Sequence, residues 1–270
     1  MNSSRRLRLS LLTSGAAGRF ASSFYVKGKR LARASVDLVY PPHCACCAGA
    51  LEAAATIPFC SACRERIVPA ALAHCRRCAA VTNPIEQQAP DCSRCRTERF
   101  RFDRAFALAR YQGVLREIVL RMKRSSEEPL MMAMGRLLAQ RFADDLQSLK
   151  PDVVVPIPMH WTRRLMRGTN SPEMIGAVLA RHLGAIFGPR SLRRKRRTRK
   201  LAELTRQERK RTLRDAFRVG RGCDFTGAHV VLVDDVLTTG TTCDIAARAL
   251  KKAGAAEVTV LVAARAYPGD

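Results

Sequence analysis

The apolar positions of this chain fall into two kinds of pattern, short uninterrupted runs and longer stretches with helical spacing. The run 230–233 has no polar interruption, which is typical of a parallel strand buried on both faces. Similar runs at 152–158 and 257–264 predict two further strands. Apolar residues with helical spacing are Val114, Leu115, Ile118, Leu120 and Met122, then Leu130, Met134, Leu137, Leu138 and Phe142, then Ile245, Ala246, Ala249, Leu250 and Ala253. Together these patterns predict an α/β domain.

Two of the predicted helices carry start signals. Pro129 suits the first turn of the helix at 130–142, because a first turn leaves its N–H groups unpaired and proline has none. Ser171 is predicted as the N-cap of a further helix, with Pro172 at its first position. We expect the helices at 114–122 and 130–142 to turn their apolar residues inward.

Two adjacent carboxylates, Asp234 and Asp235, directly follow the apolar run 230–233. The carboxyl end of a parallel strand is where open α/β sheets bind ligands, and two acids there predict a polyhydroxyl or cationic partner. The turn 238–242 then supplies hydroxyl groups, a glycine free to adopt positive φ and a threonine that can cap the next helix. Its backbone amides and the helix dipole would converge on a phosphate. A P-loop is excluded, because that motif requires a lysine where Thr241 stands.

The segment VLVDDVLTTGTT resembles the phosphoribosyl pyrophosphate (PRPP) signature of type I phosphoribosyltransferases. The resemblance implies that Asp234 and Asp235 are the catalytic carboxylates and hold the ribose 2′- and 3′-hydroxyls. It also implies that the threonine-rich turn wraps the 5-phosphate. The residues of that turn are Thr238, Thr239, Gly240, Thr241 and Thr242. Hypoxanthine-guanine salvage enzymes carry an aspartate where Thr238 stands, so we do not expect oxopurine salvage.

Composition limits the classes of protein that remain. The 270 residues are 47% hydrophobic, enough for one large or two small globular domains. No apolar run approaches the roughly 18 residues needed to cross a bilayer, so we expect a soluble, cytoplasmic protein without a transmembrane segment. The net charge of +25 predicts anionic partners without choosing between nucleic acid, a membrane surface and phosphorylated metabolites. Residues 1–38 have no acid before Asp37 and are expected to form a flexible basic tail.

Cysteine spacing predicts metal binding. Eight of the eleven cysteines form four CxxC pairs, and the predicted ligands are Cys44, Cys47, Cys60, Cys63, Cys75, Cys78, Cys92 and Cys95. Two such pairs complete a tetrahedral Cys₄ site with no open position, so we expect two structural zinc ions. Twelve residues separate the first two pairs and thirteen the last two, which suits successive pairing, but cross-bracing of the first pair with the third stays open. A redox role is disfavoured, because such a motif normally occurs once beside a βαβ unit.

The segment 41–99 has few large apolar residues and is expected to obtain its folding energy from metal binding. His43, Cys46 and His74 lie next to predicted ligands and are expected to be bystanders. Cys223 and Cys243 lie far from the pairs and are expected to be ordinary buried thiols.

The order of these features resembles the ComF family, whose members carry a cysteine-rich zinc module ahead of a phosphoribosyltransferase-like domain. The segments that carry the resemblance are the four CxxC pairs, FDR at 102–104, YQG at 111–113, VVVPIPMH at 153–160, ER at 208–209, AF at 216–217 and the PRPP signature. The resemblance implies a double zinc-ribbon module at 39–100. It implies a type I phosphoribosyltransferase fold, a parallel sheet flanked by helices, at 101–270. It also links the protein to natural competence and DNA uptake.

Two further binding segments are implied by the same resemblance. The turn after Pro156 corresponds to the pyrophosphate loop, with candidates Pro158, Met159, His160, Arg163 and Arg164. The stretch 190–221 holds fifteen Lys or Arg against three acids and corresponds to the mobile loop that closes over the site. Its candidates are Arg196, Arg197, Arg199 and Lys200. A solvated basic surface and a track for single-stranded DNA are alternative interpretations of these charges.

Four positions depart from the ComF pattern in the region that faces the acceptor. They are Thr169, Ser171, Leu201 and Thr212, which replace an aromatic residue and three side-chain amides. Asn170 keeps the family residue. The departures leave the acceptor substrate undefined.

The sequence therefore predicts a PRPP-binding protein that transfers phosphoribosyl to a nitrogen acceptor and releases magnesium pyrophosphate. Mg²⁺ would arrive with PRPP and offset the departing charge. Two non-enzymatic alternatives stay open, an adaptor that binds single-stranded DNA within the competence machinery and a regulator that reports PRPP levels. A dimer is compatible with each of these interpretations.

Overall fold

The computed structural model describes residues 41–52, 55–69, 73–82, 92–159, 168–194 and 216–267. Helices in this part of the chain are α1 (Ser61–Ile67), α2 (Ser93–Thr97), α3 (Gly113–Arg121), α4 (Glu128–Arg141), α5 (Ala143–Leu149), α6 (Ser171–Leu183) and α7 (Thr241–Lys252), with a 3₁₀ turn at Ser125–Glu127. Strands are β1 (Arg104–Arg110), β2 (Val153–Pro156), β3 (Ile186–Phe187), β4 (Leu192–Arg194), β5 (Phe217–Val219), β6 (His229–Leu237) and β7 (Glu257–Arg265). The predicted tail, 1–38, lies outside the described residues.

Five strands form one parallel sheet in the order β1-β7-β6-β2-β3, and β4 pairs with β5 in a small antiparallel ribbon. The chain runs from β2 through α6 to the neighbouring β3, and from β6 through α7 to β7 on the other side. The strand order therefore reverses between β2 and β6. Open α/β sheets bind ligands at the carboxyl ends of the strands beside such a reversal. The predicted parallel sheet flanked by helices is confirmed.

The apolar run in β6 is buried on both faces of the sheet, as predicted. Val231 and Val233 pack in a cluster with α3, α4 and α6, whereas Val230 and Leu232 pack in a second cluster with α7. This split follows from the two-residue period of a strand. Burial of each of these side chains stabilises the fold by about 1.5–3 kcal/mol.

Three local details differ from the sequence expectations. Leu120 is 41% exposed rather than inward-facing, because α3 packs through Leu115, Ile118 and Val119 on the opposite side of the helix. The N-cap of α6 is Asn170 and not Ser171, since the backbone of Asn170 is extended and Ser171 is already helical.

The third difference concerns α7, whose N-cap is Gly240 rather than a threonine. Gly240 has φ +84°, which is the left-handed conformation that glycine adopts at little cost. The turn therefore ends on the glycine, and Thr241 is the first helical residue.

Two cysteine modules precede β1 and contact different parts of the sheet domain. The first ribbon, the described residues within 41–69, packs its Ile57, Phe59 and Ile67 into the cluster of α3 and α4. The Arg121 guanidinium of α3 donates to the backbone carbonyls of Ala45 and Cys46 in this ribbon, at 3.2 and 2.9 Å. This ribbon is thus fastened to the α3–α4 face.

The second ribbon, the described residues within 73–97, lies near the carboxyl edge of β6 and β7. Ala79 joins the α7 cluster, and the second set of cysteines packs against Phe100 and Tyr267. The backbone N–H of Val81 donates to the Tyr267 hydroxyl at 2.7 Å. The two ribbons therefore dock at separate places on the sheet domain. Across the described residues, no helix combines the length and apolarity that a membrane span requires.

Candidate functional site

A cleft of about 670 Å³ opens at the carboxyl edge of the sheet, between the ends of β2 and β6. It is lined by Asp234, Asp235, Thr238, Thr239 and Thr242 from the predicted PRPP segment and by Pro158 and Met159 from the predicted pyrophosphate loop. Gly240 and Thr241 shape the turn without lining the cleft. The structure thus brings residues from two distant segments to one place, beside the reversal of strand order.

The acid pair sits where β6 leaves the core. The Asp235 N–H donates to Oδ1 of Asp234 at 2.9 Å, and the Cys243 thiol lies 3.8 Å from its Oδ2. The Val236 N–H donates to one oxygen of Asp235 at 2.8 Å, and among the described residues the other oxygen accepts no hydrogen bond. Asp235 therefore keeps an acceptor for a ligand.

Burial raises the pKa of Asp234 well above its ordinary value, and the charge of Asp235 raises it further. Burial also raises the pKa of the Cys243 thiol, as does the charge of Asp234. A hydroxyl-rich or cationic ligand would relieve this concentration of negative charge. Perturbed acids of this kind cluster at functional sites. Cys243 is buried as expected, whereas Cys223 is only partly buried.

The turn after the acids offers unpaired backbone donors. Among the described residues, the N–H groups of Thr238, Thr239 and Gly240 have no hydrogen-bond acceptor. The Thr239 hydroxyl lies 2.9 Å from that of Thr241 and accepts the Thr241 N–H at 3.4 Å. Consecutive unpaired amides at a helix start form an anion site, since water or an anionic ligand must satisfy them.

Arginine side chains donate to the carbonyl groups of three consecutive residues, 237, 238 and 239, at the start of the same turn. The Arg265 guanidinium, which is fully buried, donates to the carbonyls of Leu237 and Thr238. Arg94, from the second ribbon, donates to the carbonyl of Thr239 at 3.1 Å. Burial lowers the pKa of Arg265, and the positive charge of Arg94 adds to this effect.

Neither arginine was predicted from the sequence as a site residue. Arg265 does leave a signal, because it follows five apolar residues and is in register with Leu237 at the carboxyl edge of the sheet. Arg94 leaves none, since a charge between two metal-ligand cysteines normally indicates a solvated surface. Tyr111, Lys123 and Tyr267 also line the cleft.

The other wall of the cleft is built around Asn170. Its side-chain amide donates to the carbonyl of Ile157 at 3.2 Å, and the Ile157 N–H donates to Val233 in β6 at 2.8 Å. The family residue Asn170 thus ties the start of α6 to the end of β2. Thr169 and Ser171, two positions that depart from the family pattern, line the cleft beside it.

Several predicted residues fall outside the described part of the chain. These are His160, Arg163 and Arg164 of the pyrophosphate loop, Arg196, Arg197, Arg199 and Lys200 of the mobile loop, and Leu201 and Thr212. Their assignments stay predictions.

The cysteines form two groups of four by successive pairing. The sulfur atoms of Cys44, Cys47, Cys60 and Cys63 lie within 4.8 Å of one another, as do those of Cys75, Cys78, Cys92 and Cys95. The Sγ–Sγ distance is 3.8 Å between Cys47 and Cys60, 3.6 Å between Cys78 and Cys92, and 3.9 Å between Cys75 and Cys95. A tetrahedral zinc with Zn–S bonds of about 2.3 Å requires about 3.8 Å between sulfur atoms. Both groups fit zinc, and His43, Cys46 and His74 belong to neither.

Comparisons with known proteins identify both parts of the chain. Residues 172–268 match the phosphoribosyl transferase domain, and residues 35–96 match the double zinc ribbon domain. DNA utilization protein YhgH of Salmonella typhimurium is 31% identical over 75% of this chain and 88% of its own length. Competence protein F of Haemophilus influenzae is 28% identical over 83% of this chain and 97% of its own length. Among solved structures, glutamine PRPP amidotransferase from B. subtilis in complex with ADP and GMP aligns with 50% of this chain and 26% of that chain, at 25% identity and a TM-score of 0.37.

Proposed function

The chain belongs to the ComF family, and we propose that its cleft binds PRPP. The observation that carries the proposal is the pairing of a carboxylate with an open acceptor, Asp235, with three consecutive unpaired amides at 238–240. Within one cleft of about 670 Å³, the carboxylates of Asp234 and Asp235 can accept hydrogen bonds from ribose hydroxyls, and the amides of 238–240 can donate to a phosphate. The upstream turn at Pro158 and Met159 is proposed to flank the pyrophosphate.

We further propose that bound PRPP reacts by transfer. A nitrogen nucleophile forms a bond to ribose C1 while the bond from C1 to the pyrophosphate oxygen breaks, through a cationic transition state. Asp234 and Asp235 hold the sugar and favour the positive charge. Mg²⁺ would be supplied with PRPP, would be held by carboxylate and phosphate oxygens, and would offset the charge of the departing pyrophosphate. The acceptor is a nitrogen base of undefined identity. The names of the relatives lead us to propose a role for the protein in DNA utilization or competence.

The two Cys₄ groups are proposed to hold structural zinc, because their sulfur spacing fits a tetrahedral ion and leaves no position open. We also propose a division into a zinc module at 39–100 and a phosphoribosyltransferase-like domain at 101–270.

Calorimetric titration with Mg-PRPP tests the site. The double variant Asp234→Asn, Asp235→Asn is expected to lose measurable affinity, because an amide cannot supply the paired anionic acceptors that hold the ribose. The matched control is Asp144→Asn, which changes an exposed carboxylate on α5 and should leave affinity unchanged. Unchanged binding by the double variant would refute the assignment. Release of pyrophosphate on addition of candidate bases distinguishes transfer from sensing, and its absence with every base would favour a regulator.

A further inference from the structure

The second ribbon and the residues just after it contact the turn 238–242 and the start of α7 at three points. Arg94 in α2 donates to the carbonyl of Thr239 at 3.1 Å. Phe100, just after α2, packs so closely on Gly240 that a Cβ there would lie 2.7 Å from its Cε1. The Arg101 N–H donates to the carboxylate of Asp244 in the first turn of α7 at 2.5 Å. Arg94, between the last two zinc-ligand cysteines, and the residues just after them therefore contact the turn of the candidate phosphate site.

The hydrogen bonds from the two arginines are made to the carbonyl side of the peptide groups in the turn. Arg94 and Arg265 together occupy the carbonyls of residues 237, 238 and 239. In a trans peptide the N–H of the next residue points opposite to the carbonyl, and the described chain has no cis peptide. The amides of Thr238, Thr239 and Gly240 therefore point away from the two guanidinium groups. These are the three amides without an acceptor.

The arginine is not required by the zinc knuckle itself. The two ribbons have parallel sequences around their second cysteine pair, CSAC at 60–63 and CSRC at 92–95, with a short helix beginning at the serine in both. The position equivalent to Arg94 is Ala62, which is exposed on the first ribbon. The first ribbon thus forms the same cysteine arrangement without an arginine at that position. The side chain of Arg94 has only 18% exposure and is oriented by Glu98, to which it forms an ion pair at 3.2 Å.

We propose that the second ribbon contributes to the PRPP site by ordering its phosphate-binding turn, and that Arg94 is the positioning residue through which it does so. Arg265 holds the first two carbonyls from within the sheet, and Arg94 holds the third from the ribbon. The amides are then already oriented toward the phosphate position in the free protein, which reduces the entropy cost of ordering the turn on binding. The choice of PRPP as ligand rests on the proposed function, whereas the positioning of the turn does not.

The zinc site is connected to this arrangement because two of its ligand cysteines lie on either side of Arg94. Cys92 and Cys95 anchor the five-residue helix α2, so the metal site fixes the backbone from which Arg94 reaches the turn. The first ribbon docks instead on α3 through Arg121. The two zinc-binding modules therefore have different roles, and the second one is coupled to ligand binding.

The test compares Arg94→Ala, Arg94→Lys and Arg99→Ala in the full-length, zinc-loaded protein. Arg99 is an exposed arginine five residues away, so its removal matches the charge change without touching the turn. Arg94→Ala is expected to weaken Mg-PRPP binding about tenfold, since a charged hydrogen bond to the turn is lost. Arg94→Lys is expected to have an intermediate affinity, because lysine keeps the charge but lacks the planar guanidinium that donates to Glu98 and to Thr239 at the same time. Arg99→Ala should bind as the wild type does.

Amide hydrogen exchange of the ligand-free protein supplies a readout that does not depend on PRPP. The reporter is a peptide covering 241–247, because the Asp244 N–H in it donates to the carbonyl of Gly240 at the end of the turn, at 2.8 Å. This peptide should exchange faster in Arg94→Ala than in Arg99→Ala, whereas direct phosphate contact by Arg94 would leave exchange in the free protein unchanged. Unchanged exchange in Arg94→Ala would overturn the positioning role. If the wild type fails to bind Mg-PRPP, the proposed function fails, and the exchange measurement still decides the positioning role. If the wild type binds and Arg94→Ala binds equally well, the coupling to PRPP is overturned while the proposed function stands.

Discussion

Asp234 is the residue at which function and stability oppose each other most clearly. It lies at the end of a fully buried strand run, beside Asp235, and both of its carboxylate oxygens have internal contacts. Burial and the neighbouring charge raise its pKa, so the ionised form is unfavourable in the folded protein. A chain selected for stability alone would not keep this carboxylate.

We therefore predict that Asp234→Asn is more stable than the wild type at neutral pH. The folded-state pKa is raised above the unfolded value of about 3.9, so between the two values the folded protein binds more protons. The contribution of Asp234 to stability consequently falls as pH rises from about 4 through the folded-state pKa. The variant should have a higher thermal midpoint than the wild type at pH 8, and the difference should narrow toward pH 5. Asp144→Asn serves as the control and should show no such dependence. A variant midpoint below that of the wild type at pH 8 would contradict the prediction.

Single residues differed in how far the sequence could specify them. Thr238 and Thr239 were identifiable because a threonine-rich turn after a strand has few structural uses. Asn170 was identified only by resemblance, and its role in tying α6 to β2 depends on a hydrogen bond to Ile157 that no local pattern encodes. Arg94 acts on a residue 145 positions away, a contact that exists only in the folded chain.

At the scale of elements, local signals predicted well where one segment contains the whole unit. The β6 strand, the glycine turn and α7 are contiguous, and strand period, positive φ at Gly240 and helical spacing all agree there. The predicted N-cap of α6 was wrong by one position, and a threonine was predicted to cap α7 where the structure has Gly240, because the position of a cap depends on backbone angles set by tertiary contacts. Leu120 was placed wrongly for a related reason, since helical spacing does not reveal which side of α3 a neighbour covers.

The zinc ribbons are the elements for which spacing left two pairings open. In the structure the sulfur atoms of the first and second pairs converge, as do those of the third and fourth. We predict that Cys47→Ser, Cys60→Ser retains about one zinc per chain, because both substitutions fall in one site. The matched double variant Cys47→Ser, Cys75→Ser removes one ligand from each site and should lose most of both ions. Metal analysis after gel filtration measures the two stoichiometries. Loss of both ions from the first variant and retention of one by the second is the cross-braced result.

At the scale of the whole molecule, the docking of the ribbons was not predictable from the sequence. Both ribbons have similar cysteine spacing, yet one packs against α3 and α4 and the other against the turn after β6. The difference arises from a few long side chains and from the path of the chain into β1. The fold class, by contrast, follows from the alternation of apolar runs and helical stretches along the chain.

The net charge of the whole molecule is larger than PRPP binding alone would need. A net charge of +25 far exceeds what one pyrophosphate needs, and the acid pair makes the cleft itself a poor track for a phosphate backbone. We therefore predict that single-stranded DNA binds on basic surface outside the acid pair, with an affinity that falls steeply with salt. Each neutralised phosphate should contribute about −0.7 to the slope of log K against log salt concentration.

Fluorescence anisotropy of a labelled oligonucleotide measures this binding across a salt series. Asp234→Asn, Asp235→Asn should retain the wild-type affinity and slope for DNA while losing Mg-PRPP, because the acids are proposed to contact only the ribose of PRPP. Excess Mg-PRPP should displace little DNA from the wild type for the same reason. Strong displacement would instead mean that the two ligands share the cleft, and DNA binding with no salt dependence would exclude an electrostatic track. Independent binding of both ligands would support a protein that holds a phosphoribosyl donor and a DNA strand at separate sites, whether it acts as an enzyme or as an adaptor.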